Sequence, residues 1–314
     1  MGTNEAYIRG LSVMAEGEAN AEGGAAVSGE ARGVRPSGAG RITASLVPER
    51  GMHFLHLYFQ IDRSESAKLS VEDRERGSAE LIAALERPAA DSASFPEQFQ
   101  CFLVPGHKAD FGVIMASADV HSLMRIQRRI QSGGLGRAIK LAYSFYSITE
   151  ISEYVPDVEE YARILRERER LDPASAAYDA KVKAYEARLE PMNRQRLYPE
   201  FPDWPCVCFY PMSKTRLEGQ NWFMLTHRER AELMHEHGKS GMKFAGRVTQ
   251  VITASTGLDD WEWGVTLWGK NPSYIKDIVY TMRFDEASAK YAMFGPFYMG
   301  YIASPAEVVK GLSL

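Results

Sequence analysis

Cysteine is scarce in this chain: three in 314 residues, at Cys101, Cys206 and Cys208. An odd, sparse count excludes a disulfide framework and fits a reducing, cytoplasmic setting. Cys206 and Cys208 share one face of an apolar run if that run is a strand. With no second cluster, their spacing is no zinc pattern, so they read as core. No apolar run approaches the roughly 20 residues that cross a bilayer. The start lacks the basic-then-apolar order of a secretory leader, and Ala6 stands where a myristoylation signal needs Ser or Thr. Neither sign of charge dominates: 37 Lys and Arg against 41 Asp and Glu leave a net charge of −4. That excludes the basic footprint of a nucleic-acid binder. A phosphate-cradling glycine loop, the HExxH zinc pair and the GxSxG elbow are missing too.

What is present is an ordinary globular composition, 45% hydrophobic and 25% charged. Residues 1–45 are rich in Gly, Ala, Ser and Glu and cannot offset their ordering entropy, which predicts a flexible tail. From His53 the pattern becomes strand-like. Ser70 opens a helix through about Leu85. Strands follow at 100–104 and 110–115, a helix at 119–131 and an aromatic strand at 142–148. Residues 156–195 are rich in Glu, Lys, Arg and Ala, with Tyr161, Leu165, Tyr178, Val182 and Tyr185 at helical intervals, and predict a solvated helical connector. The second half then repeats the first. Glu262–Leu267 parallels Asp110–Met115, a helix from Pro272 to Met282 follows, and Gly295–Tyr298 parallels the aromatic strand Tyr143–Tyr146. The expected architecture is α+β: two duplicated ferredoxin-like halves of dimeric α+β barrel type, at 46–155 and 196–314, with antiparallel sheets flanked by helices.

Several side chains in the second half stand out. Thr226 and Glu229 form a capping box and Gly238 suits a helix end, so a helix is expected from about Thr226 to His237. Leu233 and Met234 mark its inner face, which His237 shares and His235 does not. An inward imidazole there either complements the helix dipole or ligates a metal. In Arg247–Thr253, Gln250 shares a strand face with Val248 and Ile252, where an amide needs a partner or faces a ligand. Tyr210 ends a strand just before Pro211. Lys214 follows in a loop, solvated or beside an anion. Arg196 and Ser288 can each bind a carboxylate and are each more often surface groups.

Read together, Arg196-Leu197-Tyr198-Pro199-Glu200, Cys208 through Lys214, Asn221-Trp222, His237-Gly238, Gln250–Thr253, Asp259–Leu267 and Met282–Ala289 resemble the chlorite dismutase superfamily, nearest its coproheme decarboxylase branch. The likeness spans about residues 50–305 and is looser before Arg196, where Gly106–Phe111 is its clearest match. The resemblance implies that His237 is the proximal ligand of a porphyrin iron and that Gln250 lies on the distal side, where true chlorite dismutases carry arginine. It implies that Tyr210 is a redox-active tyrosine beside the reacting propionate, with Lys214 and Met212 near it, and that Arg196, Met212, Trp222 and Ser288 bind the porphyrin, Arg196 and Ser288 at propionates that are kept. One departure stands out: Met242 replaces a basic residue of the family, next to Lys243.

The implied substrate is iron coproporphyrin III (coproheme), which is also the redox centre. The implied oxidant is hydrogen peroxide and the product haem b, formed as two propionates become vinyl groups through a Tyr210 radical. The rival expectations are a chlorite-degrading or peroxidase relative, and a haem-binding or haem-delivery protein without catalysis. The resemblance further implies a homo-oligomer, commonly a pentamer, and a transient contact with the coproporphyrin ferrochelatase that supplies coproheme.

Overall fold

A computed structural model describes residues 44–89 and 94–314. The expected tail therefore lies almost wholly outside the described residues. The first half runs β1 (His53–Ile61), α1 (Arg63–Ser66), α2 (Val71–Leu85), β2 (Gln98–Leu103), β3 (Phe111–Ser117), α3 (Val120–Ser132) and β4 (Ile139–Thr149). Two connector helices follow, α4 (Val158–Glu167) and α5 (Ala176–Leu197). The second half has β5 (Cys206–Lys214), a small hairpin of β6 (Arg216–Leu217) and β7 (Gln220–Asn221), α6 (His227–Met242), β8 (Val248–Ala254) and β9 (Trp263–Gly269). It closes with α7 (Pro272–Met282), α8 (Glu286–Ala289), β10 (Ala292–Phe294), β11 (Tyr298–Ile302) and α9 (Pro305–Leu312).

The sheet order is β10-β5-β11-β2-β3-β1-β4-β8-β9, and pairing of β5 with β9 closes it into a barrel. Every pairing is antiparallel. Within each half the first strand lies between the third and the last, the split order of a ferredoxin-like unit. The duplication expected from the repeated strand patterns is thus present.

Alternation along the strands sorts side chains into two layers. Phe54, Tyr58, Phe102, Phe145, Phe209 and Trp268 point into the barrel and fill it. A Cβ on Gly112 or Gly300 would come within 2.5 or 2.3 Å of the Phe102 ring, so these two positions need glycine. The opposite faces carry helices. Leu81, Leu85, Leu123, Ile126, Ile130, Val308 and Leu312 from α2, α3 and α9 seal the first half. Over the second half Phe244, Ile275 and Ile278 cover Cys206, Cys208 and Leu267, but α6 does not close down on the rest of the sheet. All three cysteines are buried and free. No helix among the described residues is long and apolar enough to cross a membrane.

Three expectations need correction. Pro211 does not stop its strand, because β5 continues to Lys214. One flank of β5 pairs with β11 through Cys206–Phe209 and with β10 through Met212–Lys214. Pro211 falls in the gap between these partners, where no N–H is needed. The helix that starts at the Thr226 capping box runs through Gly238 to Met242, and its last turns are held by Ser240, which donates to buried Asp285 at 2.6 Å. His235, assigned to the polar side, has both ring nitrogens buried with no hydrogen-bond partner among the described residues. The connector lies against that side of the helix: Arg168, just past α4, pairs with Glu232 on α6. The connector itself packs Tyr161 on Tyr185, ring centroids 4.0 Å apart.

Candidate active site

Between the outer face of the second half's strands and helices α6 and α7 lies a cavity of about 560 Å³, within the range of small-molecule sites. The eight side chains singled out in the sequence all line it: Arg196, Tyr210, Met212, Lys214, Trp222, His237, Gln250 and Ser288. They come from separate elements, and pairing brings them level. Tyr210 faces Val265 and Met212 faces Trp263 across β5 and β9. Gln250 faces Leu267 and Ile252 faces Val265 across β8 and β9. One wall is therefore sheet, largely apolar, with Tyr210, Lys214, Gln250 and Thr149 as its polar side chains. The other is helix, with Met234, His237, Ile278 and Met282.

His237 sits on the helical wall with a quarter of its side chain exposed. Its Nδ1 is 3.3 Å from Ser288 Oγ and 3.2 Å from Asp285 Oδ2. Ser288 is the hydrogen-bond partner of Nδ1, whereas buried Asp285 approaches it as a charge contact and its Oδ2 has no hydrogen-bond partner among the described residues. Outer polar partners at Nδ1, here Ser288 and Asp285, are the kind of groups that orient a metal-ligating imidazole, and Nε2 has no protein partner among the described residues. Nothing in the sequence spacing links position 237 to position 285, so no local pattern marks Asp285. Ser288, expected at a propionate, lines the cavity and lies beside the imidazole.

Tyr210 stacks on Phe297 with centroids 4.4 Å apart and meets Phe294 edge-on at 5.7 Å. Burial raises its phenol pKa, with Cys208 adding to the shift and Arg283 opposing it. The phenol therefore keeps its proton at neutral pH. Arg283 itself lines the cavity and was not singled out in the sequence. Arg196 enters from the last turn of α5. Met242 lies by the extension of the cavity past Gly238 and Gly241, with no charge to offer.

Lys214 is neither in a loop nor solvated. It ends β5, is buried, donates from Nζ to the Ala287 carbonyl at 2.8 Å and sits 4.0 Å over the Trp222 ring. Burial lowers its pKa to about 8, while Glu262, which accepts from the Lys214 backbone N–H and pairs with Arg216, pushes it up. An unfolded lysine stays protonated to about pH 10.4, so the unfolded chain binds more protons between about pH 8 and 10.4, and stability rises with pH there. Lys214→Met should stabilise the ligand-free protein at pH 7 by about 2 kcal/mol, the shift less one lost hydrogen bond. The gain should shrink at pH 10, measured as urea midpoints. An equal gain at both pH values would refute the buried-charge account.

These residues fit an iron porphyrin. Among the described residues no group of three His, Cys, Asp or Glu could hold a bare ion. One outward-facing imidazole suits a metal whose other ligands come from a macrocycle. The walls are largely apolar, and Arg196, Lys214 and Arg283 are cations among the lining residues, the kind of group that pairs with carboxylates.

Fold and site together define a haem-type α+β barrel protein, and residues 74–303 match the chlorite dismutase family, to which this chain belongs. It is 35% identical over 250 residues to the coproheme decarboxylase of Thermus thermophilus, covering 80% of this chain and 89% of that one. To the coproheme decarboxylase of Oceanobacillus iheyensis it is 34% identical over 270 residues, covering 86% and 99%. A relative from Natronomonas pharaonis, described as a heme-binding protein and 37% identical over 265 residues, is longer: the match covers 83% of this chain and 40% of that protein. Among solved structures, a heme-binding protein from Thermus thermophilus superposes with a TM-score of 0.68 at 34% identity, over 84% of this chain and 96% of that one. A mutant chlorite dismutase from Candidatus Nitrospira defluvii shares the fold, with a TM-score of 0.61 at 17% identity, over 86% of this chain and 98% of that one.

Proposed function

We propose that this protein oxidatively decarboxylates two propionates of iron coproporphyrin III, with hydrogen peroxide as oxidant, to give haem b. The observation that carries the reading is the placement of Tyr210 and Lys214 on one strand across the cavity from His237. A redox phenol and an ammonium thus share the wall where acid side chains would rest. The substrate's own iron supplies the two-electron chemistry with peroxide.

The chain's residues do the rest. His237 Nε2 binds the iron, and Ser288 and Asp285 orient the imidazole. Tyr210 loses an electron and its phenolic proton, then takes a hydrogen atom from the propionate carbon next to the ring. The odd electron left on the propionate passes to the iron porphyrin that peroxide oxidised, the carboxylate leaves as carbon dioxide and a vinyl group remains. For each propionate, one peroxide and one proton are consumed, and one carbon dioxide and two waters are formed. Lys214 orients the carboxylate by a charge-assisted contact strengthened by burial. Arg196 and Arg283 hold carboxylates at the cavity's edge, and Arg283 provides a charge that Met242 does not. Gln250 stays neutral beside the iron, which favours this oxidant over an anionic one such as chlorite.

The test is anaerobic loading with ferric coproheme, titration with peroxide and mass spectrometry of the porphyrin. Two successive losses of carbon dioxide are expected. Binding without any loss would leave only a haem carrier, and oxygen release from chlorite would move the protein to a different reaction.

A further inference from the structure

Apart from Tyr210, whose burial holds the phenolic proton until the ring is oxidised, the sheet wall facing His237 has so far no group that exchanges a proton readily. The Gln250 amide does not do so, and the Lys214 ammonium is directed at the Ala287 carbonyl. Yet peroxide must lose a proton from one oxygen and deliver one to the other as its O–O bond breaks.

Glu150 stands where such a group is needed. It follows β4 directly. β4 pairs with β8 through Ile148↔Ala254 and Thr149↔Thr253, so one further antiparallel step sets Glu150 level with Ile252, two residues from Gln250. Thr253 is buried and does not line the cavity, whereas Glu150, Ile252 and Gln250 do, beside Thr149. The carboxyl is anchored: Trp263 Nε1–H donates to Glu150 Oε1 at 3.2 Å. Trp263 is in turn the cross-strand neighbour of Met212 and Ala254. Burial raises the Glu150 pKa and Glu153 adds to the rise, while the Trp263 hydrogen bond and Arg196 oppose it. Glu153 also lines the cavity, but its carboxylate is paired with Arg230 at 3.1 Å.

The geometry points to Glu150 as the catalytic acid–base residue for the peroxide, a role that rests on the iron-porphyrin reading above. Its carboxylate takes the proton from the peroxide oxygen nearer the iron and gives it to the farther one. The O–O bond then breaks heterolytically. The farther oxygen leaves as water with the bonding pair, and the two oxidising equivalents stay with the iron porphyrin. Glu150 ends the cycle as it began, ionised.

Hydrogen cyanide separates this role from the redox chemistry, because it too must give up a proton to bind ferric iron but oxidises nothing. With coproheme bound, cyanide association in Glu150→Gln should fall by about a hundredfold, in the usual range for a lost general base, and the acid limb of its pH profile should vanish. Glu150→Asp should recover part of the rate. Trp263→Phe keeps the carboxyl but removes its indole donor, so it should move the acid limb to higher pH. Peroxide-driven loss of carbon dioxide should slow in parallel, with porphyrin occupancy unchanged by absorption titration. Cyanide association equal to wild type in Glu150→Gln would overturn the assignment. So would a loss in all three variants that tracked lost porphyrin binding, since that marks a structural anchor. Failure of the wild-type protein to bind coproheme would instead overturn the parent reading.

Discussion

Tyr210→Phe should bind ferric coproheme as the wild type does and release no measurable carbon dioxide with peroxide, a fall of at least about a thousandfold, or ~4 kcal/mol of barrier. The substitution deletes one oxygen. The ring keeps its stacking on Phe297 and its edge contact with Phe294. No described residue hydrogen-bonds the hydroxyl, so stability should change by less than about 1 kcal/mol. What is lost is the only phenol on that strand, the group able to give up an electron and proton and then abstract hydrogen. Mass spectrometry of the porphyrin after peroxide addition reads the result. Wild-type decarboxylation in this variant would remove the radical from the mechanism and leave Tyr210 as packing.

His237→Ala should lower the affinity for ferric coproheme by about a hundredfold, or ~2.7 kcal/mol, and remove the absorption signature of an imidazole-bound iron. The cavity walls do not depend on the imidazole, so added free imidazole should restore the spectrum. Asp285 keeps its bond from Ser240, which limits the loss of fold stability to about 1–3 kcal/mol. A spectrum unchanged from wild type would mean that another group ligates the iron. Tight binding that free imidazole leaves untouched would point the same way.

Much of the second half was legible in its string of residues because local chemistry writes local structure. The Thr226–Glu229 box marks the start of α6. The Pro272–Met282 pattern coincides with α7. The alternation of Val248, Gln250 and Ile252 puts all three on the cavity side of β8. The ends were less legible. Gly238 reads as a stop from its residue type, yet α6 continues because Ser240, two residues on, finds Asp285. Pro211 reads as a stop for the same kind of reason, yet β5 has no partner that needs its missing N–H.

The chain's own order of residues determined the duplicated α+β plan and the identity of the eight side chains that meet in the cavity, since periodicity, caps and rare strings are properties of neighbours. Tertiary structure alone decided what surrounds each of them. Lys214 is buried rather than solvated because a tryptophan and the Ala287 carbonyl close over it. Ser288 and Asp285 meet an imidazole about fifty positions away, and Glu150 meets the indole of Trp263 across more than a hundred. A side chain's protonation and contacts depend on the local dielectric and on partners brought close by folding, and separation along the chain carries no record of either.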